Sequence, residues 1–110
     1  MLQITQNRAK KKNLNNIRYL KGDSSRIDLS DNSVDLICIN LVLGEIVKMD
    51  ESINEMVRIL KSMGRISIME SIFDDHYLNV QEVKALFEKK GFSFELVEKK
   101  KTYYILEAHK

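Results

Sequence analysis

Asn32-Ser33-Val34-Asp35-Leu36-Ile37-Cys38-Ile39-Asn40-Leu41 is the stretch whose reading decides the fold. A polar turn opens onto a near-continuous apolar run, short for a helix and β-branched at Val34, Ile37 and Ile39, which predicts a strand buried on both faces. Strands of that kind belong to parallel sheets, where the ligand crevice lies beyond the carboxyl ends of the strands. Function is therefore sought at Asn40 and in the Leu41-Val42-Leu43-Gly44-Glu45 segment after it.

Toward the carboxyl end, Asp50 reads as the N-cap of a helix running to about Lys61, because Ile53, Met56, Val57 and Leu60 recur at helical spacing. Ser62-Met63-Gly64 ends that helix, and Arg65 to Glu70 is the next strand. Asn79 to Gly91 is a second helix, opened by a capping box of Asn79 and Glu82 and stopped by Gly91, with Val80, Val83, Leu86 and Phe87 as its apolar face. Phe92 to Glu98 and Thr102 to Ala108 are strands joined by Lys99-Lys100-Lys101. That connection is too short for a parallel crossover, so the pair is an antiparallel hairpin.

Toward the amino end, Ser24 to Asn32 is a loop, and Asn16 to Lys21 alternates as a short strand that Gly22-Asp23 stops. Met1 to Asn16 reads as a frayed helix whose lysine-rich end suits the negative pole of its dipole. The order strand, strand, helix, strand, helix, hairpin describes an α/β sheet with an antiparallel edge.

Bulk properties narrow the class. A chain of 110 residues, 44% hydrophobic, fits one domain over 1–110. A net charge of +2 makes nucleic acid and anionic membrane poor partners. The lone Cys38 allows no internal disulfide and reads as a small, unactivated core residue. No apolar run reaches the roughly 20 residues that span a bilayer. The start lacks the apolar core of a signal peptide, so the cytoplasm is the expected location.

Several stretches, in this order and spacing, resemble the carboxyl-terminal part of class I S-adenosylmethionine-dependent methyltransferases of the small-molecule type, similar to those of quinone biosynthesis. They are Gly22-Asp23, Ile27-Asp28-Leu29-Ser30-Asp31-Asn32-Ser33-Val34-Asp35, Glu55-Met56-Val57-Arg58-Ile59-Leu60-Lys61, Gly64-Arg65-Ile66-Ser67-Ile68, Lys90-Gly91-Phe92 and the terminal hairpin. The resemblance covers roughly Asn16 to Lys110. It implies a partial Rossmann-like sheet, parallel strands flanked by helices with a C-terminal antiparallel hairpin, and S-adenosylmethionine as cofactor.

The resemblance also implies roles. Asp23 matches the carboxylate that accepts from the adenine amino group, with the backbone of Ser24 at the ring edge. Asn40 and Leu41 match the segment lining the methionine and methyl end. Leu43 to Ile46 match a segment flanking a small-molecule methyl acceptor, and Phe73 to Tyr77 fall where substrate-specific residues vary. The chain departs from the pattern in lacking the first strand and its glycine-rich loop. Gln3 stands nearest to where an acidic residue binds the ribose, and Lys61-Ser62-Met63-Gly64 replaces a turn usually holding proline and a second glycine.

Without that first strand one edge of Val34 to Asn40 lacks its usual partner, and an apolar edge invites pairing. Three occupants are expected to compete for it: the strand over Ile17 to Lys21, a second copy of the chain, or a missing amino-terminal half. A non-catalytic remnant serving as an oligomerisation or binding module is the alternative to an enzyme.

No catalytic residue is assigned. Glu45 could act as general base or bind a substrate amine, against a solvated loop carboxylate. His76 and Tyr77 could sit at a pocket mouth, against a polar loop before the second helix. Asp74-Asp75-His76-Tyr77 contains metal-ligand types, but adjacent residues rarely converge on one ion, so no metal is expected. Lys10-Lys11-Lys12 and Lys99-Lys100-Lys101 read as solvated charge, although Tyr103 and Tyr104 follow the second.

Overall fold

The computed structural model describes residues 2–13, 15–17, 22–40 and 43–110, with the backbone alone for 2–6 and 45. The strand predicted over Asn16 to Lys21 falls mostly outside that set, as does Leu41. Helix α1 spans Leu2–Lys11, strand β1 Val34–Asn40, helix α2 Met49–Ile59 and strand β2 Leu60–Ser71. Helix α3 spans Val80–Glu88, β3 Ser93–Lys99 and β4 Tyr103–His109, and a 3₁₀ turn covers Leu43–Glu45.

The four strands form one sheet in the order β1-β2-β4-β3. β1 lies parallel to β2, while β4 runs antiparallel to both β2 and β3. The parallel pair, the helices and the terminal hairpin are those predicted from sequence.

One face of this sheet is the core. Strand geometry sends alternate side chains to opposite faces, and Ile39, Ile66, Ile68, Leu106 and Ala108 all point to the side covered by the helices. Ile53 and Met56 of α2 and Val83 and Phe87 of α3 close over them. Ile66, Ile68, Val83, Phe87 and Leu106 are fully buried, each side chain worth about 1.5–3 kcal/mol in apolar area removed from water. Phe87 packs edge-on against Phe92, with ring centroids 5.6 Å apart.

The expectation that β1 is buried on both faces is corrected. Ile39 is buried, but Leu36 is 43% exposed and Cys38 is exposed, not a core residue. Helices α2 and α3 lie on the face taken by Ile39, so the period of two turns Leu36 and Cys38 to the other face. Among the described residues β1 pairs with β2 alone. The strand proposed for its free edge lies outside them.

Two helix boundaries also move. α2 starts at Met49 with Lys48 at its N-cap and no side-chain cap, so Asp50 is a first-turn residue. There its charge suits the helix dipole, and Lys90 pairs with it at 3.2 Å. At the other end Leu60 already belongs to β2, and Lys61 to Gly64 bulge within the strand instead of forming a separate turn: Val34 faces Leu60, but Leu36 faces Arg65. Gly64 is buried there, and a Cβ on it would lie 2.5 Å from Leu60 Cγ. Of the capping box expected for α3, the Asn79 half is present, its side chain accepting from the backbone N–H of Glu82 at 2.9 Å, while no bond returns from the Glu82 carboxylate among the described residues; Gly91 has φ 85°.

Candidate functional site

The loop before β1 brings the first candidate residues to the carboxyl-terminal rim of the sheet. Asp23 makes a tight local turn, its Oδ1 accepting from the backbone N–H of Ser25 at 2.9 Å and from the Ser25 hydroxyl at 2.9 Å. Those two donors, with a smaller contribution from the Lys48 charge, hold the Asp23 carboxyl below its ordinary value. Asp23 therefore stays an anion at neutral pH, an acceptor only. Ser24 is fixed from beneath, since its hydroxyl lies 2.8 Å from that of Ser52 on α2, a residue fully buried.

These two residues border a crevice of about 450 Å³ that also takes in Ile39 at the end of β1, Ile46 and Met56. Its shape and lining are those of a small-molecule site: apolar walls with one oriented polar group at the rim. Lys48 completes the rim. Sequence reasoning places Ile46 at the end of an acceptor-flanking segment, reads Cys38 as a core residue although it lines this crevice, and gives Val47, Lys48 and Met56 no part in it. Met56 stood on the apolar stripe of its helix, where core packing accounts for it. Lys48 carries no pattern, and only its place ahead of α2 brings it to Asp23.

The remaining candidates divide. Asn40 is exposed at the tip of β1, next to the crevice-lining Ile39. Leu41 is outside the described residues. The backbone of Glu45 lies in the 3₁₀ turn, and Gln3 falls in α1. His76 is exposed, but its backbone packs against that same turn so closely that a Cβ on Gly44 would collide with the His76 carbonyl. The two segments that the resemblance places around an acceptor thus touch. Tyr77 is turned the other way, edge-on to Tyr104 with centroids 6.2 Å apart, and lines a separate concavity.

Asp74 does not gather ligands with Asp75 and His76. Its Oδ1 accepts from the backbone N–H of His76 at 2.8 Å, the polar-loop reading of that stretch. Glu95, Glu107 and His109, on β3 and β4, do bring possible ligand atoms within 4.8 Å of one another. They are cross-strand neighbours, with Arg65 3.4 Å from Glu107 and His109 3.2 Å from it, and so form a charge cluster that already includes a cation.

The far end of the same loop is held by Arg58. Its Nη1 donates to the Leu29 carbonyl at 2.7 Å and to Asp31 Oδ1 at 2.8 Å, and its Nη2 donates to the Ile27 carbonyl at 2.8 Å. Glu55 is bound by Arg58 through both oxygens, at 2.8 and 2.9 Å, and accepts from the Ile27 N–H at 2.8 Å. A planar guanidinium can fill all of these directions at once, which an ammonium cannot. The fork of Arg58, then the Ile27 N–H, hold the Glu55 carboxyl down to about 2. Glu55 and Arg58 sit one turn apart on α2 and anchor residues 27–31 of the loop whose other end carries Asp23 and Ser24.

Comparison with known proteins adds to this geometry. A family model described as a methyltransferase domain matches residues 1–110. A curated relative, the ubiquinone/menaquinone biosynthesis C-methyltransferase UbiE of Idiomarina loihiensis, is 30% identical over 71 residues, which are 64% of this chain and 28% of the relative. The matched stretch is thus less than a third of that relative's length. Among solved structures, a SAM-dependent methyltransferase from Aquifex aeolicus superposes with a TM-score of 0.87 at 22% identity, over 97% of this chain and 62% of that one. The [4+2]-cyclase SpnF superposes with a TM-score of 0.81 at 16% identity, over 99% of this chain and 62% of that one. At such identities the structures share a fold. No helix among the described residues is long and apolar enough to cross a membrane.

Proposed function

The chain belongs to the methyltransferase-domain family, and on that premise we propose that it binds S-adenosylmethionine in the Asp23 crevice and takes part in methyl transfer to a small-molecule acceptor. The observation that carries this reading is the pairing of an ionised, acceptor-only carboxylate with apolar walls in a crevice of about 450 Å³. An adenine ring has the matching chemistry: an exocyclic amine to donate and two flat faces to bury.

Asp23 accepts from that amine, and the Ser24 backbone meets the ring edge. Ile39, Ile46 and Met56 exclude water from its faces. Asn40, at the tip of β1, lines the methionine end, a role the family resemblance extends to the residue after it. The cofactor supplies a methyl group on a positively charged sulfur. Its transfer is an in-line displacement in which positioning supplies much of the rate, so the residues that orient acceptor and sulfur matter more than a strong base. The acceptor lies where the Leu43–Glu45 turn meets the Asp74–Tyr77 loop. His76 is a group there able to take a proton from an acceptor, the role the sequence also offers to Glu45, and Tyr77 lines the neighbouring concavity.

The free edge of β1 is covered by a preceding segment or by a second copy of the chain, and residues 1–110 act as one unit. The cytoplasm, where the exposed Cys38 thiol stays reduced, is the location we assign. A second reading is a binding or oligomerisation module without catalysis, since a shared fold does not by itself dictate methyl transfer.

Titration calorimetry tests the cofactor half. Saturable heat with S-adenosylmethionine in the millimolar range or below, weakened by Asp23→Ala, is the expected outcome. A silent titration would favour the module.

A further inference from the structure

We propose that the concavity between the β3–β4 turn and the start of α3 is a second binding site, for a small aromatic anion: a planar ring carrying a phosphate or a carboxylate. The site is separate from the Asp23 crevice. It sits over β4 and the hairpin turn, with β2 between it and β1 in the sheet order, and the inference does not depend on methyl transfer.

From the sequence alone, Lys99-Lys100-Lys101 is a solvated charge run. Folding changes its surroundings. All three lysines border a concavity of about 300 Å³ whose walls are Tyr77, Tyr103 and Tyr104. That volume is at the lower end for small-molecule sites, enough for one substituted ring. No carboxylate is among the described residues that line it.

Among the described residues the run makes one ion pair, Lys100 with Glu98 at 4.0 Å, and Glu98 already accepts from the Tyr103 hydroxyl at 3.0 Å; Glu70 and Glu82 lie near enough to Tyr104 to act on its hydroxyl. Lys99 and Lys101 make no ion pair among the described residues. Consecutive cations with so little compensation repel one another, and an anion seated between them relieves that repulsion. The aromatic half follows from the tyrosines. Tyr104 is buried and spends its hydroxyl on the Leu78 carbonyl, so it offers a ring. Tyr77 stands edge-on to it at 74° and, half-buried at the concavity, offers the ring against which a flat ligand would pack.

The hairpin ladder places the lysines here. β3 carries an irregularity between Leu96 and Glu98, after which Lys99 faces Tyr104. Lys99 therefore shares a face with α3 and not with the opposite side of the sheet.

Calorimetry of the whole chain with phenyl phosphate, inorganic phosphate and phenol separates the two halves of the proposal. Phenyl phosphate is expected to bind at one site, about tenfold or more tighter than either fragment. Lys99→Gln combined with Lys101→Gln is expected to weaken phenyl phosphate about tenfold, with S-adenosylmethionine unaffected. Tyr77→Leu is expected to weaken phenyl phosphate while sparing inorganic phosphate.

Three results overturn the proposal. One is equal, weak binding of all three probes. Another is an equal loss in a Lys10→Gln, Lys11→Gln control on α1, which would reduce the effect to net charge. The third is displacement of phenyl phosphate by a short single-stranded RNA at far lower concentration with steep salt dependence, which would assign the surface to nucleic acid.

Discussion

At its Ile27–Asp31 end, the loop before β1 is tied to α2 by the Arg58 fork and the Glu55 carboxylate, whereas its Gly22–Ser25 end is closed on itself by Asp23 and touches α2 through the Ser24–Ser52 contact. One end has its polar groups answered by the protein. The other keeps an ionised carboxylate at the rim of an apolar crevice, with only one of its oxygens engaged among the described residues. The contrast separates scaffold from site: where folding already satisfies the hydrogen bonds, a ligand has nothing to add, and where it leaves an acceptor free beside apolar walls, a ligand does.

The comparison breaks most visibly at Arg58. Arg58→Ala is expected to produce the largest fall in thermal midpoint, several degrees, and to weaken cofactor binding as well, since Asp23 and Ser24 lose their frame. Arg58→Lys should recover only part, because an ammonium cannot span the Ile27 and Leu29 carbonyls together with Glu55. A melting series with matched calorimetry checks both.

The same clamp has a pH signature. Glu55 is lowered from 4.5 to about 2 on folding, so the native state binds fewer protons than the unfolded chain between those values. Its contribution is complete above about 4.5 and is lost as pH falls toward 2. Glu55→Gln should flatten that acid limb of an unfolding-versus-pH curve. A curve of unchanged slope would show that the pair holds nothing in solution.

Gly44→Ala probes the contact between the two acceptor-flanking segments. Its Cβ would enter the His76 carbonyl, and overpacking of this kind costs about 1–3 kcal/mol, readable by denaturant titration. Asp23→Ala should do the reverse of the clamp variants: cofactor affinity falls on the order of tenfold while the midpoint stays within about a degree. Smallest of all is Cys38→Ser, on the exposed face of β1, expected within about 0.5 kcal/mol of the parent.

Legibility in the sequence followed how local each signal is. The capping box at Asn79 and Glu82, the stop at Gly91 and the brevity of the Lys99 to Lys101 connection act over a few residues, and α3 and the hairpin stand where they were read. The β1 run was legible as a strand and as parallel. Which of its faces is covered was not, because an apolar run is symmetric, and the choice depends on helices packed some distance along the chain. Lys61 to Gly64 has the composition of a turn yet bulges inside β2, since Gly64 must lie against Leu60. Asp23 and Ser24 were legible as site residues only through family resemblance. Lys48 reached the crevice, and Lys99 to Lys101 came to share a concavity with Tyr77, through tertiary placement that no local spacing encodes.

The central claim, that the Asp23 rim exists to hold the cofactor's adenine, is met most directly by comparing S-adenosylmethionine with its analogue lacking the exocyclic amine on the wild-type chain and on Asp23→Ala. The account predicts that the wild type prefers the amine-bearing cofactor by about tenfold and that Asp23→Ala abolishes the preference. Equal affinities for the two ligands on the wild-type chain would contradict it.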